Sequence, residues 1–283
     1  MLLRDDALQD KVILVTGGGS GLGLSMSTGF ARLGARVAIT GRSEARLEEA
    51  APRIHASGER VHAHAADVRD AEAVAGLVAS VVGRFGRIDV LVNNAAGNFL
   101  AATEDLSPNA FDAVVRTVLY GTFNATQAVG RHMIERGGGG TVLSITTTYA
   151  WTGSAFVVPS AVSKAGVLAL TRSLAVEWAT YGIRLNALAP GPFPTEGAWE
   201  RLMPTPEIEE RARRRIPAGR FGEHHELVEL AAFLVSDAAP FITGACVTID
   251  GGEWMGSGGQ FNGLLQVPRE ELKGALRTFR RRE

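Results

Sequence analysis

Short apolar runs alternate with longer segments of mixed polarity along most of the chain. The runs are Val12–Gly17, Ala35–Thr40, Arg60–Ala65, Ile88–Ala95, Gly140–Thr146, Ile183–Pro190 and Ala245–Asp250. Each is short, mostly rich in Val or Ile, and bounded by Gly, Asn, Asp or Pro, which is the pattern of a strand. Continuous apolar character, without alternation, fits strands covered on both faces of a parallel sheet. Helical patterns lie between them at Leu22–Leu33, Glu44–Ala56, Asp70–Phe85, Pro108–Arg136, Pro159–Tyr181 and, as a pair, across Pro206–Ser236. Strand–helix–strand repetition with short links predicts an α/β, doubly wound fold with a seven-stranded parallel sheet and helices on both faces. No composition break divides residues 1–283, so one domain is expected. Its least regular parts are a Pro-rich, charged loop around 191–217 and a tail at 256–283 that either covers a neighbouring surface or lies solvated.

Composition narrows the function. Lys and Arg total 29 against 30 Asp and Glu, which argues against a nucleic-acid binder with its usual basic excess. The single cysteine, Cys246, excludes an internal disulfide and a cysteine-based zinc site. His62/His64 and His224/His225 lack convergent ligands, and no metal is expected. Asp5, Asp6 and Asp10 interrupt the N-terminus, so it resembles neither a signal nor a transit peptide. No apolar window is long enough to span a bilayer, and a soluble, cytoplasmic protein with no membrane partner is expected. Glycine is the outlier, with 34 residues gathered at a few turns, as where a backbone must approach a ligand.

The densest glycine turn is Thr16–Gly23, TGGGSGLG, directly after the first strand and opening the first helix. In a dinucleotide-binding loop Gly17 permits the tight turn, Gly21 lets the backbone approach a pyrophosphate, and Gly23 allows close packing. The helix N-terminus adds unpaired N–H groups and partial positive charge. The second strand ends in Thr40-Gly41-Arg42, where an NAD-preferring site usually has an acid. A guanidinium there suits a 2′-phosphate, so NADPH is the expected cofactor. Asp67, ending the third strand, either accepts from an adenine amino group or caps the next helix.

These residues, with ADV at Ala66–Val68, NNAAG at Asn93–Gly97, Lys164 on a helix and APGP at Ala189–Pro192, resemble the short-chain dehydrogenase/reductase family across essentially the whole chain. The resemblance implies a Rossmann-type nicotinamide site. It comprises Thr16, Gly17, Gly19, Ser20, Gly21, Leu22, Gly23, Arg42, Asp67, Val68, Asn94, Ala95, Lys164, Pro190, Gly191, Pro192 and Phe193. It also implies a homotetramer, with the helices of Pro108–Arg136 and Pro159–Tyr181 at one interface.

The catalytic pattern departs from most of the family. Ser160, not tyrosine, stands four residues before Lys164; Thr147 takes the usual serine position and Val118 the usual asparagine position. Serine cannot replace tyrosine as a general acid, because an isolated hydroxyl has no accessible pKa near neutrality. Tyr149 offers another solution, eleven residues before Ser160 and fifteen before Lys164. This arrangement, with NNAAGNF at Asn93–Phe99, the Thr152–Ser160 segment and DGGE at Asp250–Glu253, is similar to the mitochondrial-type 2,4-dienoyl-CoA reductase branch. That resemblance implies NADPH-dependent reduction of a 2,4-dienoyl-CoA to a 3-enoyl-CoA in unsaturated fatty acid β-oxidation. It assigns Tyr149 and Ser160 to the dienolate oxygen, with Asn98 also in the catalytic pocket, and Lys164 to the nicotinamide ribose. Arg69, Phe99, Ser107 and Arg201 are assigned to the acyl-CoA thioester. A reductase of 2-enoyl-CoA or ketones, and a catalytically silent nucleotide-binding relative, remain open alternatives.

Overall fold

In the computed structural model, which describes residues 3–196, 199 and 205–280, seven parallel strands form one sheet in the order β3-β2-β1-β4-β5-β6-β7. They are β1 (Val12–Thr16), β2 (Arg36–Gly41), β3 (Val61–Ala65), β4 (Val90–Asn93), β5 (Gly140–Ile145), β6 (Ile183–Pro190) and β7 (Cys246–Ile249). After β3 the chain crosses back to pair β4 against β1, in the register Ile13↔Val90 to Val15↔Val92. That reversal opens a crevice beyond the carboxyl ends of β1 and β4, where a doubly wound sheet places its ligand.

The two-residue period of the strands splits the core between two faces. Ile13, Val15, Val37, Ile39, Val90, Val92 and Leu143 meet α1 (Gly21–Arg32), α2 (Glu44–Ile54) and α9 (His224–Val235) through Phe30, Leu47 and Leu227. Val12, Leu14, Ala38, Leu91 and Val142 meet α3 (Ala71–Phe85), α5 (Gly121–Arg136) and α7 (Val158–Glu177) through Leu77, Val129, Met133 and Ala175. Each fully buried Leu, Ile or Phe contributes about 1.5–3 kcal/mol, so the double-sided core is a main source of the stability of the sheet that carries the crevice. The edge strands are the exception: β7 is only partly buried along its length, and β3 is buried only at Val61.

The sequence expectations miss by a residue or two at most ends and in three larger respects. The segment Pro108–Arg136 is not one helix: α4 (Pro108–Val115) and α5 are separated by a π-turn at Arg116–Tyr120. A short helix, α6 (Tyr149–Thr152), follows β5. Two helices, α10 (Glu253–Gly258), which runs into the tail, and α11 (Arg269–Arg280), which lies within it, form where no helix was predicted. The helix pair in Pro206–Ser236 is α8 (Pro206–Arg215) and α9. On α8, Arg213 and Arg214 pair with Glu210, as expected of a solvated charged face. Among the described residues no helix is long and apolar enough to cross a membrane.

Candidate active site

The glycine loop is braced from beneath by the β4 segment. Gly17 has φ +65°, and a β-carbon there would lie 3.0 Å from Asn94 Nδ2 and 3.1 Å from Ala95 Cα. Asn94 Nδ2 donates to the carbonyls of Thr16 and Gly17 at 3.0 and 3.2 Å. The backbone N–H groups of Asn94 and Ala95 both donate to Thr16 Oγ1, at 3.0 Å each. A β-carbon on Gly23 would meet the Gly17 carbonyl oxygen at 2.3 Å, so this glycine closes the loop onto the helix. Gly21 differs: it has φ +52°, and the nearest atom its β-carbon would meet is on Thr195, at 3.6 Å. Beside it Ser20 makes no side-chain cap and the first turn of α1 carries no acid. The result is an uncovered set of N–H donors at a helix N-terminus, suited to an anion.

Arg42 follows β2 on the surface and makes no ion pair among the described residues. Asp67 and Arg69, assigned to the cofactor and the substrate respectively, are paired with each other: Arg69 Nε lies 3.0 and 2.9 Å from the two carboxylate oxygens, and its Nη2 joins them. The guanidinium holds the Asp67 carboxyl below its usual range, and the carboxylate raises Arg69 in return. The helix cap weighed for Asp67 belongs to Asp70, whose carboxylate accepts from Glu72 and Ala73. Val68 is buried, with its carbonyl bonded to Asn124.

On the other side of the crevice, α7 places Ser160 and Lys164 one turn apart on a buried face, 2% and 7% exposed. Tyr149, opening α6, puts its hydroxyl 3.0 Å from Ser160 Oγ. Lys164 Nζ donates to the Ile145 carbonyl at the end of β5, and burial lowers the ammonium to about 8. Thr147 lies between β5 and α6, where its carbonyl accepts from Ala150. Val118, at the usual asparagine position, is buried in the π-turn against Val114 and Val167. The lone thiol is no competitor: burial pushes Cys246 up to about 11.

The remaining expected residues divide. Asn98 and Phe99 are exposed on the loop after β4, and Asn98 Oδ1 accepts from the Phe99 N–H. Ser107 caps α4 by accepting from Ala110. Pro190, Gly191 and Pro192 lead from β6 across the crevice mouth; a β-carbon on Gly191 would lie 2.6 Å from that of Asp250. Phe193 turns into the core instead, its ring filling the place a side chain on Gly222 would need. Arg201, and Gly197 of the same loop, lie outside the described residues.

One site residue has no sequence signal. His224, the first residue of α9, bonds Ser25 Oγ through Nδ1 at 2.7 Å and the Pro194 carbonyl through Nε2 at 2.6 Å. A carbonyl only accepts, so Nε2 carries a proton. The ring therefore ties the first turns of α1 to the chain leaving β6.

Residues 17–253 match the family described as enoyl-(acyl carrier protein) reductase. The chain is 45% identical over 249 residues to a probable (2E)-enoyl-CoA-producing 2,4-dienoyl-CoA reductase of Bacillus subtilis, covering 88% of this chain and 98% of the relative. It is 46% identical over 256 residues to a probable (3E)-enoyl-CoA-producing 2,4-dienoyl-CoA reductase 3 of Caenorhabditis elegans, covering 89% and 83%. Among solved structures, a short chain dehydrogenase from Bacillus anthracis superposes with a TM-score of 0.83 at 44% identity, covering 88% of this chain and 98% of that one. A gluconate 5-dehydrogenase from Burkholderia cenocepacia, in complex with NADP and tartrate, does so at 0.83 and 35% identity, with the same coverage. The strand order, the braced glycine loop and these similarities agree, and the chain belongs to the short-chain dehydrogenase/reductase family, as an oxidoreductase.

Proposed function

We propose that the protein reduces a 2,4-dienoyl-CoA to a 3-enoyl-CoA with NADPH, residues 1–283 acting as one reductase unit. The observation that carries this reading is the Tyr149–Ser160 hydroxyl pair at 3.0 Å, above a buried Lys164 that has serine where a ketone reductase needs tyrosine. The similar proteins of B. subtilis and C. elegans, named as probable 2,4-dienoyl-CoA reductases, support it.

The chain fits the cofactor. Gly21, open on the side its β-carbon would fill, and the bare N-terminus of α1 form a cradle for the pyrophosphate. Arg42 meets the 2′-phosphate, Asp67 and Val68 border the adenine, and Lys164 holds the nicotinamide ribose. Pro190–Pro192 border the nicotinamide end. NADPH held there supplies a hydride to C5 of the conjugated thioester.

Charge then collects on the thioester oxygen as a dienolate. Tyr149 and Ser160 can both rotate their O–H groups toward one acceptor beside them, and two donors aimed at a developing oxyanion are what the step requires. Asn98 supplies a further polar group at the same end. The ammonium of Lys164, protonated below about pH 8, adds positive charge without giving up a proton. The α-carbon takes its proton from Tyr149 or from water, which leaves the double bond at C3. Phe99, Ser107 and Arg69 line the way for the CoA moiety; Arg201 has its assignment to the same moiety from the resemblance alone.

The same reading places the enzyme in unsaturated fatty acid β-oxidation, in the cytoplasm, as a homotetramer. Tyr120, Phe123 and Val162, exposed on the π-turn, α5 and α7, are apolar surface that such an assembly would cover.

The matched family description raises a second reading, reduction of a 2-enoyl thioester. NADPH oxidation measured with a dienoyl-CoA, a 2-enoyl-CoA and a 3-ketoacyl-CoA separates the readings. The dienoyl-CoA should be fastest; faster turnover of the 3-ketoacyl-CoA would overturn the proposal.

A further inference from the structure

Phe156 is in the wrong place for a residue chosen by the fold. Its φ is +64°, the left-handed region, where a bulky side chain is a true outlier. Its ring is 61% exposed, so core packing does not compensate for the backbone strain. Glycine would serve the fold better on both counts. Strain of this kind collects where function holds it, and the position agrees: Phe156 lies between Tyr149 and Ser160 in sequence.

The conformation is held from outside. The Ala101 N–H donates to the Phe156 carbonyl at 3.0 Å, tying this loop to the segment after β4. That segment presents Phe99 and Leu100, 39% and 57% exposed. Two loops, joined by one backbone bond, thus set apolar side chains outward, and Phe156 sits on the short link between the helix of Tyr149 and that of Ser160.

We propose that Phe156 determines acyl-chain specificity, its ring lying against the hydrocarbon part of the thioester beyond the reacting carbons. The occupant follows from continuity with the candidate active site. This inference rests on the reading of the substrate as an acyl-CoA.

The test is calorimetric titration of the NADP⁺-bound protein with hexanoyl-CoA and decanoyl-CoA, which share every group but chain length. The wild type should bind decanoyl-CoA at least about tenfold more tightly, since each buried methylene contributes roughly fourfold and burying two of the four extra ones already exceeds that. Phe156→Gly should lose most of that preference, keep its hexanoyl-CoA affinity, and show an unchanged or higher Tm. Phe156→Asn, which also tolerates positive φ, should behave alike. An intact preference in both variants, an equal loss for both ligands, or unfolding of both variants would overturn the inference. So would a change of assembly mass by light scattering with the preference retained, which would make Phe156 an interface residue. Dienoyl-CoA turnover by the wild type is measured alongside. If it is absent while the chain-length effect holds, the reaction reading fails and the inference stands; if neither ligand binds, both fail.

Discussion

The hydroxyl of Tyr149 lies 3.0 Å from Oγ of Ser160, on a different helix and eleven residues away in sequence. The serine in the usual tyrosine position is therefore the tyrosine's partner and not its substitute. Tyr149→Phe removes one donor and keeps the ring. It should lower kcat on a dienoyl-CoA by about 10²–10³, the usual cost of one oxyanion donor. NADPH affinity should be unchanged, because the bond strengthens only as charge develops. Ser160→Ala should show a related loss, and the double variant less than the product of the two. Steady-state kinetics on the three variants check this; near-full activity in Tyr149→Phe would overturn the assignment.

Lys164 links the site to pH in two ways. Its folded value is about 8, against 10.5 ordinarily, because burial disfavours the charge. Activity that depends on its ammonium should fall as pH rises through 8, and Lys164→Met should remove that limb of the kcat profile. Between pH 8 and 10.5 the unfolded chain holds a proton that the folded chain has released, so this residue makes stability rise with pH across that window. Below pH 8 the buried charge costs about 3 kcal/mol, the free-energy equivalent of the shift. Lys164→Met should therefore unfold at higher denaturant concentration than the wild type at pH 7. A lower midpoint would show that the ammonium stabilises the fold.

Arg42 should set the choice between cofactors. A hydrogen bond to a charged group contributes about 1.5–3 kcal/mol, so Arg42→Ala should lose roughly 10- to 100-fold in preference for NADPH over NADH. Dissociation constants for both, by fluorescence titration, decide it. An unchanged ratio would remove Arg42 from the site.

His224 predicts an effect on binding rather than chemistry. His224→Ala breaks both bonds between α1 and the chain at Pro194. Each is worth on the order of 1 kcal/mol, so the Kd for NADPH should rise about tenfold. At saturating NADPH, kcat should stay within about threefold, and His224→Gln should recover part of the affinity. A selective loss of kcat would mean that the ring acts nearer the reaction than its contacts indicate.

The seven strands were legible because Val and Ile runs closed by Gly, Asn or Pro leave few alternatives for a buried strand. The break in Pro108–Arg136 was not, because a π-turn inserts its extra residue without Gly or Pro, and Val118 keeps the helix's apolar face intact. α11 was hidden by charges that interrupt its apolar positions. Tyr149 was singled out through the resemblance that its surrounding motifs and its spacing to Ser160 and Lys164 carry, since a tyrosine alone is more often a packed core residue. Side-chain pairing was the weakest part. Asp67 could be read as cap or ligand contact, yet its oxygens go to Arg69, two residues away. His224 meets Ser25 across 199 residues, a contact that no local pattern encodes.

Thr16 was expected among the residues around the cofactor, and its hydroxyl shows why its contribution is internal. A hydroxyl has one proton and two lone pairs. At Thr16 the lone pairs take the N–H groups of Asn94 and Ala95, and the proton goes to the Val92 carbonyl at 3.4 Å. Its hydrogen-bonding valence is full, with nothing left for a ligand. Valine has nearly the same shape but would strand two amides, each at a cost of about 1–3 kcal/mol. Two hydroxyl side chains, threonine and serine, can meet this demand at position 16, although the position never touches the reacting atoms.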